Sequence, residues 1–448
     1  MPDPHDAPGA SRRPGEPWRG LYRQLIDRDR RRRSRRRRIA VVSAAVVLAL
    51  VLASGAFAAA AYFGLVCGIR RSDALTGGSG FGQDVNILVM GLDSRLDENG
   101  KPLSQQDYQA LHSGNSSDGG YNSNVLMVLH VPKGGGQTTA VSIPRDDWVS
   151  IPGSPDGMSH GKVKQAYGFA MDQAMRTLQA SPGGRSASEI YQQARDAGRK
   201  AEIKTVEQFL NIRIDHFVEI TMAAFLDVAR ALAPITVCLQ EATKDSYSGA
   251  DFKKGVQQLD AQQAVAFVRQ RRDTSGSGLA LSDLDRERRQ QAFIASLLHQ
   301  LRQTSTLTDV GKIQGLLNAV KDKIAVDRSL NLVDFAFKAK QLASGHISFV
   351  TLPILRFGWS STGESVNIVD RSALQAEVAR LFSPPPTSTP NPSPSQAHIQ
   401  QGPPPAQQAP AAQSPGAQGG PSQPSSAPTY NAGNWASVLQ SGGIPCVR

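Results

Sequence analysis

The chain has 448 residues, of which 49 are Lys or Arg and 38 are Asp or Glu, and its formal net charge is +11. This length can bury a core large enough to fold alone, so the three Cys residues are not required as a disulfide scaffold. Residues 1–38 contain 13 Arg and 5 acidic residues, so the rest of the chain carries only +3. A charge placed so unevenly is poor evidence that the folded part binds nucleic acid.

The chain opens with a basic arm and a long apolar segment. Residues 28–38 are mostly Arg, and residues 39–69 contain no charged side chain. A helix of roughly 20 residues crosses a bilayer, and Arg clusters beside such a helix stay in the cytoplasm. The sequence predicts a cytoplasmic arm over residues 1–38, a single transmembrane helix over residues 39–69, and a type II protein of the cell membrane whose remaining residues lie outside the cytoplasm.

Two other interpretations of this region stay open. The small residues 58–61 could form the cleavage site of a signal peptide, although the apolar region of such a peptide is normally about 7 to 15 residues. The arm could also bind DNA or anionic lipid, although the adjacent membrane span favours a role in topology.

Composition sets the limits of the folded domain. Residues 382–433 are mostly Pro, Gln, Ser, Ala and Gly and contain no Asp, Glu, Lys or Arg. Such a segment buries too little apolar surface to fold, so we predict a disordered linker there, a short Cys-containing tail over residues 434–448, and a globular domain over residues 84–381. In an oxidising compartment Cys238 and Cys446 could pair and tie the tail to the domain, and two unpaired thiols are the alternative.

Strand and helix patterns alternate within the globular domain. Apolar, β-branched runs predict strands at residues 85–90, 125–131, 138–143, 216–220, 235–239 and 347–352. Helical spacing predicts helices at residues 164–179, 188–210, 222–232, 261–271, 283–301, 308–326 and 330–343. Interleaved strands and helices predict a three-layer α/β domain.

Charged side chains follow two of the predicted strands. Asp93 and Arg95 come after the first strand breaks at Gly91, and Arg145 and Asp146 follow the third strand and a Pro. Taken singly, each segment is typical of a turn. In open α/β sheets, however, ligands bind in the crevice beyond the strand ends.

A third charged segment begins the predicted helix at residues 283–301. Its apolar stripe, traced back from Leu301, reaches Gln290, Arg286 and Asp283, so these polar groups point towards the core, whereas Arg288 falls largely on the solvated face. Burying an unpaired guanidinium is costly, so Arg286 must meet an acid or an anionic ligand. Asp283 could instead cap the helix behind Ser282.

These segments together offer several guanidinium groups and few acids. The paired N–H donors of guanidinium groups suit a phosphate or pyrophosphate, and the carboxylates suit a hard cation such as Mg²⁺. No Walker loop, zinc pattern or nucleophile elbow is visible in the sequence, which leaves phosphoryl transfer or phosphate binding. The candidate binding residues are Arg145, Arg269, Arg271, Arg286 and Gln290, with Asp93, Asp146 and Asp283 as partners.

At these residues the chain resembles the LytR-CpsA-Psr family, membrane-anchored enzymes that attach lipid-linked glycopolymers to the bacterial cell wall, and the insertion after Arg95 resembles its actinobacterial members. The motifs that carry the resemblance occur in the family's order at residues 86–95, 141–146, 214–217, 255–271 and 283–290.

The resemblance implies a central mixed β-sheet flanked by helices, with a polyprenyl tail in an apolar groove. It implies pyrophosphate bound by Arg145, Arg269, Arg271, Arg286 and Gln290, with Mg²⁺, or Mn²⁺, near Asp93. The implied activity is a metal-dependent phosphotransferase: a sugar hydroxyl of peptidoglycan attacks the sugar-proximal phosphorus, and polyprenyl phosphate leaves. The implied partners are the polyprenyl-pyrophosphate-linked glycopolymer, peptidoglycan and the membrane, with no nucleic acid. The candidate bases are Asp146 and Asp283.

One departure from the family pattern bears on the metal. Residues 122–125 replace an Arg-Ser-Asp-Thr stretch, so Asn124 stands where the family has an aspartate, and a neutral carbonyl binds a cation more weakly. Acidic residues of the insertion at residues 96–121 could substitute. A catalytically degenerate binder that scaffolds wall assembly is the alternative function, and a transcriptional attenuator is a third interpretation, disfavoured because the short arm lacks a helix-turn-helix.

Overall fold

The structure is a computed structural model that describes residues 68–303, 315, 318–335, 347–383 and 437–448, except residues 76, 81, 119, 135 and 333. The predicted basic arm, nearly all of the predicted transmembrane helix, all but the first two residues of the predicted Pro-rich linker and most of the predicted helix at residues 330–343 lie outside these residues. Among the described helices, none combines the length and apolarity needed to cross a bilayer.

A mixed eight-stranded sheet forms the centre of the domain. In chain order its strands are β1 (Arg70–Ser72), β2 (Val85–Leu92), β3 (Ser123–Val131), β4 (Thr138–Ser142), β7 (His216–Thr221), β12 (Ile324–Asp327), β13 (Ile347–Thr351) and β16 (Leu439–Gln440). Their order across the sheet is β1-β12-β7-β2-β3-β4-β13-β16, and both parallel and antiparallel pairs occur.

The remaining strands form small sheets around the central one. Two-stranded hairpins are β5 (Trp148–Ser150) with β6 (His160–Lys162), β9 (Thr243–Asp245) with β10 (Ala250–Phe252), and β14 (Arg356–Trp359) with β15 (Ser365–Ile368). A three-stranded sheet consists of β8 (Ile235–Leu239), β11 (Gly255–Leu259) and β17 (Cys446–Val447).

Helices cover both faces of the central sheet. They are α1 (Gln105–Leu111), α2 (Gln165–Ala180), α3 (Ala187–Leu210), α4 (Met222–Leu232), α5 (Ala261–Arg269), α6 (Asp283–Gln303) and α7 (Arg371–Phe382). On one face, α3 packs Val206 and Phe209 against Leu88 and Val128 of the sheet, together with α7. On the other face, α4, α5 and α6 pack against β4 and β13. The predicted three-layer α/β arrangement with a central mixed sheet is confirmed.

The predicted strands are confirmed, although the one at residues 235–239 is β8 and lies outside the central sheet. The helix predicted over residues 308–326 is wrong at its end, because Ile324 to Asp327 forms β12, between β1 and β7. This short segment contains β-branched side chains, and a place inside a sheet outweighs weak helical spacing. Helices α1 and α7 were not predicted.

The C-terminal segment is part of the fold. β16 pairs with the edge strand β13, β17 pairs with β8, and a disulfide joins Cys238 to Cys446, which is the first of the two alternatives that the sequence left open. The segment also covers α6: Arg288 donates to the Ser437 hydroxyl at 2.9 Å and is buried. The prediction that Arg288 faces solvent is therefore wrong, because a segment distant in sequence covers that face.

Candidate active site

Arg145 and Arg286 converge on one carboxylate. Arg145 follows β4 and donates two hydrogen bonds to Asp283, from Nε and Nη2, each at 2.9 Å. Arg286, one turn further along α6, donates from Nη2 to Asp283 Oδ2 at 3.0 Å. Both guanidinium groups are buried, and Nε of Arg286 makes no hydrogen bond with any described residue. Two cations therefore share one acid, and one buried donor of Arg286 is left without a partner among the described residues.

Asp283 does not cap α6 through its side chain. The side chain of Ser282 accepts from the backbone N–H of Asp285 at 3.4 Å, and Asp285 accepts in return from the Ser282 N–H at 2.8 Å. This reciprocal pair is a capping box, which leaves Asp283 to pair with the two arginines.

Asn124 links Arg145 to the end of β2. Its side-chain oxygen accepts from Arg145 Nη1 at 2.6 Å, and its Nδ2 donates to Asp93 Oδ2 at 2.6 Å. The other oxygen of Asp93 pairs with Arg95. Close packing of β2 on β3 allows this, since a Cβ on Gly91 would lie 2.7 Å from Val125 Cβ.

Two lysines surround Asp146 on the far side of Arg145. Lys164 Nζ lies 2.6 Å from Asp146 Oδ1, and Lys162 Nζ lies 4.0 Å from the same atom. Asp146 Oδ2 is 3.8 Å from Arg145 Nε. Backbone hydrogen bonds between residues 145–147 and 163–164 hold these groups together. Neither lysine was predicted as a site residue, although Lys162 and Lys164 alternate at the start of the helix predicted over residues 164–179.

The remaining predicted residues lie around this network to different extents. Arg269, at the end of α5, donates to the Leu111 carbonyl and is electrostatically coupled to Asp93 and Arg95. Gln290 donates to the Val268 carbonyl at 3.2 Å and so braces α5. Arg271 is exposed and makes no hydrogen bond to the cluster among the described residues.

We call this assembly the cationic cluster. It contains six cationic side chains and four carboxylates, a net charge of +2: Arg95, Arg145, Lys162, Lys164, Arg269 and Arg286 against Asp93, Asp146, Asp283 and Glu364. An excess of partly buried cations at strand ends is suited to a polyanion such as a pyrophosphate.

Burial sets the protonation of the cluster. It lowers the pKa of Arg286 to about 10, an effect that Asp283 opposes and Arg145 reinforces. Burial would raise the pKa of Asp283, but Arg286 and Arg145 outweigh it and hold that pKa below its usual value. Glu287 is different, because burial and nearby Asp283 raise its pKa to about 8. At neutral pH Glu287 is therefore mostly uncharged, and the excess positive charge is kept.

The insertion after Arg95 contributes backbone carbonyls rather than carboxylates. The Ser113 carbonyl accepts from Arg95 Nε at 3.0 Å, next to the Leu111 carbonyl that accepts from Arg269. Asp107 pairs with Arg230, and Glu98 is buried elsewhere. None of the acidic residues proposed as a substitute for an aspartate at position 124 contacts Asp93 in the described part of the chain.

A buried ion network lies beneath the end of β2. Glu98 and Glu219 share the guanidinium groups of Arg195 and Arg199 of α3, and all four side chains are almost fully buried. Burial would raise the pKa of Glu219, but the two arginines hold it at about 2. Because Glu98 lies in the segment that follows Asp93 and Arg95, the network anchors that segment to α3.

The donor set near Asp93 suits only certain kinds of metal binding. Among the described residues, no three His, Cys, Asp or Glu side chains cluster as ligands. Asp93, partly exposed, and the Asn124 carbonyl are the oxygens there, and both already pair, with Arg95, with each other's side chain and with Arg145. They do not form an all-protein cage, so they fit only a Mg²⁺ ion that exchanges these contacts and keeps its waters and substrate phosphates, as Mg²⁺ commonly does.

Comparison with known proteins places these residues in a family. The profile of the LytR_cpsA_psr family matches residues 74–382. The cell wall biosynthesis protein LcpA of Corynebacterium glutamicum is 34% identical over 321 residues, which are 70% of this chain and 60% of that protein. The polyisoprenyl-teichoic acid–peptidoglycan teichoic acid transferase TagU of Bacillus subtilis is 25% identical over 243 residues, 54% of this chain and 60% of that protein.

The crystal structure of the protein gbs0355 from Streptococcus agalactiae superposes on this chain with a TM-score of 0.49 and a sequence identity of 18%. The superposition covers 68% of this chain and 90% of that one. The chain spans about 60% of the length of the curated relatives named above.

Proposed function

The chain belongs to the LytR-CpsA-Psr family, and from that premise we propose that it is a phosphotransferase that moves a glycopolymer from a polyprenyl-pyrophosphate carrier onto peptidoglycan. The observation that carries the proposal is the convergence of Arg145 and Arg286 on Asp283, inside a cluster of net positive charge at the strand ends. Relatives named as wall biosynthesis proteins and as a teichoic acid transferase support it.

The proposed reaction exchanges one P–O bond for another. A sugar hydroxyl of peptidoglycan attacks the sugar-proximal phosphorus, the bond from that phosphorus to the bridging oxygen breaks, and polyprenyl phosphate leaves with the bond's electrons. Arg145 and Arg286 hold the phosphates and stabilise the charge that develops on their oxygens, which is the main source of catalysis in phosphoryl transfer. Arg269 and Arg271 are assigned the outer part of the diphosphate, and Gln290 supports α5.

We assign the proton of the attacking hydroxyl to Asp146 rather than to Asp283. Both oxygens of Asp283 accept from guanidinium groups, and its lowered pKa makes it a weak base. Asp146 is partly exposed and pairs with Lys164 at 2.6 Å through Oδ1, while Arg145 Nε is 3.8 Å from its Oδ2, so guanidinium groups engage it less than they engage Asp283. Asp283 then acts by positioning the two arginines.

Mg²⁺, or Mn²⁺, belongs to the proposal as a cofactor. Asp93 and the Asn124 carbonyl would hold it, and when bound it would neutralise charge on the phosphate oxygens. A single transmembrane helix over residues 39–69 is also part of the proposal. It would place the catalytic domain outside the cytoplasm as a type II membrane protein, beside the bilayer that holds the polyprenyl carrier.

The test uses geranylgeranyl pyrophosphate as a donor and water as the acceptor. Cleavage yields inorganic phosphate and geranylgeranyl phosphate, and we expect the release to require Mg²⁺. Arg145→Ala should lower the rate by about 100-fold or more, as for loss of a group that stabilises charge in the transition state. The matched control is Arg176→Ala, because Arg176 is an exposed arginine of α2 that pairs with Asp156 and not with a residue of the cluster. Equal losses in both variants would contradict the proposal.

One observation favours a non-catalytic binder as the second candidate. Asn122 and Asn124 stand in the stretch where the family has a charged pair. The amide oxygen of Asn124 accepts from Arg145, and its amide nitrogen donates to Asp93. A binder would retain geranylgeranyl pyrophosphate without releasing phosphate at any Mg²⁺ concentration, whereas the enzyme would turn it over.

A further inference from the structure

One face of the β14–β15 hairpin carries a row of exposed apolar side chains. Leu355, just before β14, and Phe357 and Trp359 within it alternate along the extended chain, so they point to the same face. Their exposed fractions are 63%, 37% and 75%. Large apolar side chains grouped in this way at a surface mark an interaction site more often than a single exposed one does.

The hairpin is attached directly to the candidate active site. The backbone N–H of Asn367, in β15, donates to the Asp146 carbonyl at 2.9 Å, and its side chain donates to Asp147 Oδ1 at 3.0 Å. Asn367 is paired across the hairpin with Phe357, and directly paired residues share a face. The apolar row therefore lies on the face that adjoins the segment after Arg145.

The turn of the hairpin makes a second connection to the cluster. Glu364 lies 3.8 Å from Lys162 Nζ and accepts from Gln165 at 3.1 Å, and Lys162 is within 4.0 Å of Asp146. The turn of the hairpin and Asp146, to which the proposed function assigns the proton of the attacking hydroxyl, therefore share Lys162 as a neighbour.

Polar groups lie beside the apolar row. A shallow groove of about 560 Å³ begins at Leu355 and is lined otherwise by Val369, Asp370, Arg371, Ser372 and Gln375. Aromatic and aliphatic faces next to carboxylate, guanidinium and amide groups match a sugar chain, whose pyranose rings present apolar C–H faces and a rim of hydroxyls. A bilayer surface is matched less well, because acidic Asp370 and Glu364 offset Arg356 and Arg371 beside the row and leave no excess of cations to attract anionic lipid.

We propose that the β14–β15 hairpin is the platform for the acceptor glycan, with Trp359 stacking on a sugar ring and the groove at Leu355 binding hydroxyls further along the strand. This rests on the function proposed above, and it names the part of the molecule that holds the nucleophilic substrate rather than the pyrophosphate donor.

The experiment measures binding of chitotetraose, a β-1,4-linked N-acetylglucosamine tetramer, to the full chain in detergent by titration calorimetry. Trp359→Ala should weaken binding at least tenfold, and Trp359→Phe should lose less because a ring remains. The matched control is Tyr247→Ala, since Tyr247 is an aromatic residue on the β9–β10 turn that is exposed to a similar extent. The affinity of Tyr247→Ala for chitotetraose should equal that of the unchanged protein. Thermal melting should be the same for all variants, because each side chain is largely exposed.

The outcomes separate the platform from the reaction. We expect Arg145→Ala to bind chitotetraose normally and to lose cleavage of geranylgeranyl pyrophosphate. If Arg145→Ala still cleaves geranylgeranyl pyrophosphate, the proposed function is wrong, whatever the result of the glycan titration. If the unchanged protein does not bind the tetramer, or Trp359→Ala binds it equally well, the platform is wrong. Quenching of fluorescence by brominated lipids in proteoliposomes that disappears in Trp359→Phe would assign the row to the membrane and would also overturn the platform.

Discussion

Replacing Asp283 by Asn tests whether one carboxylate holds the two arginines together. The change keeps the shape of the side chain but removes the charge that Arg145 and Arg286 share, and their side chains are only 6% and 7% exposed. Leaving buried charges without a partner costs about 3 to 5 kcal/mol. Asp283 itself is 21% exposed, so we expect the lower end, about 3 kcal/mol, which is roughly 6 °C in melting temperature for a domain of this size.

The assay is differential scanning calorimetry of the full chain at pH 7, with and without inorganic pyrophosphate. Pyrophosphate should stabilise Asp283→Asn more than the unchanged protein, because the anion replaces the lost charge. The difference between the two proteins should be present above about pH 4, the ordinary pKa of Asp, and should fade as the pH falls through the lowered pKa of the folded state.

Asp146→Asn is the matched control for this prediction. Its carboxylate pairs mainly with Lys164 and lies 3.8 Å from Arg145 Nε, and its loss leaves both buried arginines paired with Asp283, so it should cost less than the loss of Asp283. A melting temperature of Asp283→Asn within 1 °C of the unchanged protein would refute the shared-carboxylate arrangement.

Three further predictions concern other parts of the domain. Asn124→Asp places a second carboxylate 2.6 Å from Asp93. The variant should have a lower melting temperature than the unchanged protein without Mg²⁺, and added Mg²⁺ should raise its melting temperature more. Equal responses to Mg²⁺ in calorimetry would contradict this prediction. The pKa of Glu287 is raised to about 8 in the folded state. The protonated side chain therefore adds to the free energy of unfolding in full below about pH 4.5, and this addition is lost as the pH rises through 8. Glu287→Gln should flatten the fall in melting temperature between pH 5 and 8, and an unchanged slope would count against it. Cys446→Ser should lower the free energy of unfolding by about 2 to 5 kcal/mol in urea titrations, and the same loss should follow reduction of the unchanged protein.

The regular elements could be predicted because their patterns are local. The strand at residues 235–239 and the helix at residues 222–232 have the predicted bounds, since apolar alternation or helical spacing is clear within each. The segment at residues 324–327 could not be predicted, because its strand state depends on pairing with β1 and β7, which are far away in the sequence. The position of β8 in a separate sheet depends in the same way on β11 and β17.

The candidate site was predictable where a charge conflicted with burial. Arg286 lies on the apolar stripe of α6, and that conflict alone required an acid or an anion nearby. The sharing of Asp283 could not be predicted, because it depends on the angle at which α6 meets the end of β4. The same limit applies to Arg288, whose burial is due to a segment about 150 residues further along the chain.

The return of residues 437–448 to the domain has a consequence for the order of folding. Strand β13 is an edge strand until β16 pairs with it, and an open edge invites pairing with other chains. Closing this edge requires β13 to meet β16, which is 92 positions further along the chain, and Cys238 to meet Cys446, which is 208 positions further. Contacts between residues so distant in sequence form slowly. We expect the newly made protein to pass through an aggregation-prone intermediate with an open sheet, which oxidation of the thiols brings to an end.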